Sequence, residues 1–205
     1  MSGIKKSSLF GGLAKIGAAL GAAVLLTLGA ALPAQAVTNV TSGHVDVVAV
    51  NSSNIGSKIG STFYRWSGGT PLFDHQFVYN NALSVSGVTC SAGVLSIPES
   101  VSSSSLPSLG LDNWSMSSYK ISVSKVAGSL GTGGVTLNTA LAGTVSTTGG
   151  TETIGPLGHE HGDWTFAVGD CSSGKQHTFT LGFTAEKVGT PANTGSRNID
   201  FIINM

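Results

Sequence analysis

The sequence predicts an all-β fold, an antiparallel β-sandwich of about ten strands, immunoglobulin-like or jelly-roll in type. Three observations carry that reading. Apolar residues recur at every second position in short runs. Glycine-rich turns separate the runs. No long helical period occurs after residue 36.

The strands follow in order. His44–Val50 alternates, and so does Ile59–Trp66, which ends at Gly68-Gly69. In Leu72–Tyr79, Phe73, His75, Phe77 and Tyr79 share a face. Leu83–Val88 and Val94–Ile97 are the next two, on either side of a turn at Cys90. Pro98–Asn113 is rich in Ser and Pro and reads as a long surface loop. Tyr119–Ala127 is the clearest strand, with Tyr119, Ile121 and Val123 against Lys120, Ser122 and Ser124. Shorter strands are expected near Val135–Leu137 and Thr144–Thr147, and a longer one over Asp163–Val168. Phe179, Leu181, Phe183 and Ala185 define a further strand, and Ile199, Phe201 and Ile203 the last.

The start of the chain is different in kind. Lys5 and Lys6 give a basic beginning, and Ile16–Leu32 is almost purely Ala, Gly, Leu and Val. Ala34-Gln35-Ala36 then supplies the small residues that a signal peptidase accepts. We read residues 1–36 as a cleaved signal peptide and 37–205 as a single β-sandwich domain. The apolar stretch is short for a span of ~20 residues and rich in Gly and Ala, which argues against an anchor. No second long apolar run follows, so no membrane span is expected after cleavage.

Cleavage removes Lys5, Lys6 and Lys15 and leaves seven basic against ten acidic residues, a net charge of −3 with His neutral. Such a surface has no basic stripe to neutralise phosphates, so nucleic acid is not an expected partner. An extracellular or cell-surface partner fits an exported chain, but nothing in the residues names one. Charged residues make up 10% of the chain, against about 25% in typical domains, with Ser, Thr and Gly filling the polar positions. The only two cysteines, Cys90 and Cys171, are expected to pair as one disulfide in an oxidising compartment.

Two histidine clusters carry the chemistry: Gly43-His44-Val45-Asp46-Val47 and Gly158-His159-Glu160-His161-Gly162-Asp163-Trp164. In a strand, residues two apart share a face, so His44 pairs with Asp46, and His159 with His161 and Asp163. Imidazole and carboxylate groups at that spacing suit a divalent ion, zinc first among candidates that include copper, nickel and manganese. The expected ligands are His44, Asp46, His159 and His161, with Asp163 as a carboxylate holding a ligand histidine in place. The bland alternative is that these histidines only hydrogen-bond the backbone. His75 lies among aromatics and His177 at a strand end, and both read as packing residues. Trp164 and Phe166 read as core.

Enzyme signatures fail. The H-x-H-x-D-H metal motif would need histidine where Trp164 stands, and it belongs to a fold with helices. H-E-x-x-H and G-x-S-x-G do not occur. The expectation is a non-enzymatic protein, with a hydrolase as the weaker reading.

The same clusters carry a family resemblance. Gly43-His44-Val45-Asp46-Val47, Val94-Leu95-Ser96-Ile97-Pro98, Leu109-Gly110-Leu111 and His159-Glu160-His161 with Trp164 and Phe166 appear in that order. In this the chain resembles the actinobacterial surface-anchored protein domain, also met as the choice-of-anchor M type. Departures are Asp163 in place of the family's Asn, the Gly128–Gly134 stretch in place of Gly-Pro-Gly, and the lack of an L-P-x-T-G motif. The resemblance implies a secreted or surface-associated actinobacterial β-sandwich. The family's association with metal-uptake transporters adds to the metal reading by analogy. A structural or adhesive surface module with no metal site is the alternative.

Overall fold

The structure is a computed structural model that describes residues 37–50, 59–63, 70–72, 75–101, 103–140, 143–191 and 194–205. The expected signal peptide, Tyr64–Trp66 and Phe73 lie outside the described residues. Along the chain the strands are β1 Thr38–Val40, β2 Gly43–Val50, β3 Ile59–Phe63, β4 Thr70–Leu72 and β5 His75–Tyr79. Then come β6 Thr89–Ser91, β7 Val94–Ile97, β8 Pro107–Asn113, β9 Tyr119–Gly128 and β10 Val135–Thr139. The last are β11 Thr144–Ser146, β12 Thr151–Ile154, β13 His159–Ala167, β14 Gln176–Lys187 and β15 Thr194–Asn204.

They form two sheets, as expected for a sandwich. One has six strands in the order β1-β5-β15-β14-β9-β12, the other nine, with the path β11-β10-β13-β8-β2-β3-β4 and the β6–β7 hairpin joined to β13. Most pairs are antiparallel; β1–β5, β5–β15 and β2–β8 are parallel. The alternation seen in the sequence is the alternation of burial. Phe179, Leu181, Phe183 and Ala185 of β14 face inward, beside Tyr119, Ile121 and Val123 of β9 and Ile199, Phe201 and Ile203 of β15. Across the sandwich, Phe166 of β13 meets Phe179 and Phe201 with ring centroids 5.8 and 6.2 Å apart. Such tilted aromatic contacts lock two sheets in register as well as burying area.

Cys90 and Cys171 are joined in a disulfide, with Cα atoms 5.9 Å apart across 81 positions of sequence. In the chain-entropy account a loop of that length stabilises by roughly 4–5 kcal/mol. His75 is buried with its ring edge against Phe77, and His177 Nε2 lies 2.8 Å from the Asp170 carbonyl oxygen. Both are the packing residues expected.

Three expectations need correction. The described residues hold fifteen strands rather than about ten, because β1, β4, β6, β8 and β12 went unread. Leu83–Val88 is not a strand. Asn81 adopts the left-handed conformation at φ 48° and starts a 3₁₀ turn over Ala82–Ser84, stapled by the Ser84 hydroxyl donating to the Asn81 carbonyl. The loop expected over Pro98–Asn113 ends early. Pro107–Asn113 is β8, paired in parallel with β2 and antiparallel with β13, with Leu109 and Leu111 fully buried.

Candidate metal centre

The strand order β13-β8-β2 explains how residues 115 positions apart meet. His159 and His161 lie on β13, His44 and Asp46 on β2, and β8 runs between them. Register then places one row across three strands: His161 opposite Gly110, and Gly110 opposite Asp46. Strands two apart are separated by ~9–10 Å, further than most side chains close. Gly110 removes the obstacle. A Cβ at this position would run into the His161 ring, which lies over the bare backbone and reaches Asp46. A neighbouring row pairs His159 with Asp112, and another pairs His44 with Ser108. By strand alternation, Ser108, Gly110 and Asp112 face away from the core side of Leu109 and Leu111.

Four expected site residues therefore come together. His44 Nε2 lies 3.4 Å from His159 Nε2, His159 Nδ1 lies 3.4 Å from Asp46 Oδ1, and the same oxygen lies 3.4 Å from His161 Nε2. The His44 and His161 rings are 3.9 Å apart between centroids. Among the described residues two groups of donors converge within 4.8 Å: His44, His159 and His161, and Asp46, Asp112 and His159. The first faces outward, since His44 is exposed while His161 is buried. The second lies deeper, with Asp46 at 0% and Asp112 at 5% exposure.

Asp46 is the unusual group. It is fully buried, and neither carboxylate oxygen accepts a hydrogen bond. A buried, unsolvated carboxylate is costly unless a positive charge lies beside it. Nitrogen-to-oxygen separations of 3.4 Å are long for hydrogen bonds. Zinc bonds of ~2.0–2.1 Å at tetrahedral angles hold neighbouring donors ~3.3–3.4 Å apart, the spacing of His44 Nε2 from His159 Nε2 and of His161 Nε2 from Asp46 Oδ1.

The rings differ in charge preference. Although His44 is exposed as a residue, partial burial of its ring, then the nearby His161 and His159, hold it down to about 4 despite the opposing pull of Asp46, so it is neutral near pH 7. Burial also opposes charge on His159, but contact with Asp112 and the Asp46 and Asp112 charges outweigh it and raise its pKa above the ordinary 6.5.

Asp163 does not take the place expected for it. It is exposed, and its carboxylate accepts the Glu99 backbone N–H at 2.9 Å. The carboxylate beside His159 is instead Asp112, with Oδ1 3.8 Å from Nδ1, while its Oδ2 accepts the Trp114 indole N–H. Asp112 and Trp114 are not among the residues expected here, and Gly110 enters the sequence reading only as part of the Leu109-Gly110-Leu111 segment. The signal is present as the alternation of Leu109 and Leu111 with Gly110 and Asp112, inside a segment whose Ser and Pro content reads as loop.

The reverse side of the same strand carries a second polar feature. Glu160, between the two histidines, turns toward the core and meets Glu152 of β12, both buried. Thr139 Oγ1 donates to Glu152 Oε1 at 2.8 Å, and Gly143 leaves the space that the Glu152 carboxyl occupies. Burial first, then the contact with Glu160, pushes Glu152 up to about 7.

Among the described residues, no helix is long and apolar enough to cross a membrane. No family model matches the chain, and no curated protein matches it. Among solved structures, the ASH/PapD-like domain 7 of human CEP192 is 9% identical with a TM-score of 0.35, over 57% of this chain and 75% of that one. The N-terminal domain of PorA is 14% identical with a TM-score of 0.33, over 78% of this chain and 97% of that one. Both likenesses are slight, and the site is read from its own geometry.

Proposed function

We infer that this is a secreted or cell-surface, non-enzymatic protein that binds one divalent metal ion, zinc first, through His44, His159 and His161 with Asp46 beside them. The observation that carries the reading is Asp46: fully buried, without a hydrogen bond, and 3.4 Å from a nitrogen of each of two histidines. A cation among these groups supplies the charge that the pocket otherwise lacks. Two carboxylates, Asp46 and Asp112, balance one divalent ion, so the chemistry favours one ion over two. His44 is exposed, which gives the ion an entry path and leaves one side open to an outside ligand.

Export is supported by the Ala34-Gln35-Ala36 ending and by the disulfide, which suits an oxidising compartment. The resemblance of the two histidine segments to the actinobacterial surface-anchored domain points the same way.

Calorimetry on metal-stripped protein beginning at Val37 tests the reading, with zinc, copper(II) and manganese(II) in turn. The expected result is one ion per chain, tighter than about 0.1 mM for zinc. His161→Ala is expected to weaken it on the order of 100-fold, while His177→Ala, whose ring is engaged with the Asp170 carbonyl, leaves it unchanged. Binding weaker than about 0.1 mM for every ion, or His161→Ala binding like wild type, overturns the site and leaves a structural β-sandwich module.

A further inference from the structure

The geometry points to Asp112 and Trp114 as a brace that sets the tautomer of His159, holding its proton on Nδ1 so that Nε2 is presented to the metal pocket. This rests on the reading of His159 as a ligand, and it assigns roles to two residues outside the expected ligand set. An imidazole ligates through an unprotonated nitrogen, so a ligand histidine must carry its remaining proton on the other one. The two nitrogens of His159 face different surroundings. Nε2 faces His44, 3.4 Å away, in the group that includes His161. Nδ1 faces two carboxylates, Asp46 at 3.4 Å and Asp112 at 3.8 Å. Negative charge gathered on one side of a neutral ring favours the N–H on that side. Were the proton on Nε2, it would point at another imidazole and leave the Nδ1 lone pair against two carboxylates.

Asp46 divides its oxygen Oδ1 between His159 and His161. Asp112 is the more specific partner of His159. It stands directly opposite in register, and the Trp114 indole N–H takes up its other oxygen. Trp114 is itself tied down: its backbone N–H donates to the Val50 carbonyl at 2.8 Å, at the end of the strand that carries His44 and Asp46. The adjacent Asn113 amide donates to the carbonyls of Ser117, Ile154 and Gly155, which fixes the turn bearing Trp114. The indole thus holds Asp112, and Asp112 holds the ring. These are positioning residues: Trp114 carries no lone pair for an ion, and Asp112 turns Oδ1 toward His159 Nδ1 and Oδ2 to the Trp114 indole.

The test reads the His159 tautomer and the zinc affinity separately. Two-bond ¹H–¹⁵N correlation spectra of metal-free protein at pH 8.5 distinguish Nδ1–H from Nε2–H rings. Wild type is expected to show His159 as the Nδ1–H form. Asp112→Asn keeps an oxygen for Trp114 but removes the charge; it should mix the tautomers and weaken zinc about 10- to 100-fold. Trp114→Phe should do both to a smaller degree. A merely structural role would lower the unfolding temperature of these variants without moving the tautomer. An Nε2–H ring in wild type, or an unchanged tautomer and affinity in Asp112→Asn, overturns the brace. An Nδ1–H ring that shifts in Asp112→Asn, in a protein that binds no ion, upholds the brace and sinks the metal reading alone.

Discussion

On the outer face of β13, His159 and His161 stand beside Asp46 and Asp112; on the inner face, one residue between them, Glu160 meets Glu152. Both sides bury two carboxylates, and the local strand is the same three residues. What differs is how the charge is offset. Outside, the carboxylates face imidazoles spaced as donors to an ion, and an exposed His44 gives access. Inside, burial first and then the contact with Glu160 favour a proton, and Glu152 is pushed up to about 7. Buried acidity is therefore not itself a sign of a metal site. The partners decide whether a cation or a proton fills the need.

The largest expected effect separates the two faces at Gly110. Gly110→Ala places a methyl where the His161 ring lies and should displace it from Asp46. Zinc affinity by calorimetry is expected to fall on the order of 100-fold, while the inner pair and the unfolding transition change little. Undiminished zinc binding in Gly110→Ala would break the claim that a bare backbone assembles the site.

Proton competition comes next. His44, held to about 4, stays neutral and does not compete, whereas His159 titrates above its ordinary 6.5. Zinc affinity should therefore begin to fall above pH 6.5 as the pH is lowered, by about tenfold per unit once one proton is displaced by the ion. Affinity that holds constant from pH 8 down to about 5.5 would contradict an imidazole site.

The smallest effect sharpens the inner side. The Glu152 carboxyl in the folded protein holds its proton to about 7, above its ordinary 4.5, so the folded state keeps a proton that the unfolded chain has lost. Its stabilising contribution is complete below 4.5 and is lost as the pH rises through about 7. The raised His159 acts in the same direction, so the informative quantity is the difference between variants. In metal-free protein, raising the pH from 5 to 8 should lower the wild-type melting temperature by about several degrees more than that of Glu152→Gln, whose amide cannot ionise. Parallel curves would show that the buried Glu152 carboxyl does not hold its proton.

Much of the fold was legible because period-2 alternation reports burial directly. Tyr119, Ile121 and Val123, or Phe179, Leu181 and Phe183, read as inward faces, and they are inward. The pairing of Cys90 with Cys171 was legible by elimination, since no other cysteine exists. Leu83–Val88 misled because its alternation is real while Asn81 and Gly87 take positive φ, and a turn dictates its path.

His44, Asp46, His159 and His161 could be singled out from the sequence because i, i+2 spacing puts each pair on one side of its strand. Alternation says which face a residue takes but not which strand lies beside it, and Pro107–Asn113 looked like loop. Only the tertiary structure decided that β8 runs between β2 and β13, that Gly110 leaves room for His161 to reach Asp46, and that Asp112 rather than Asp163 stands beside His159. The physical reason is that strand order and register are set by the whole sandwich closing on its core, a long-range condition that local periodicity does not encode.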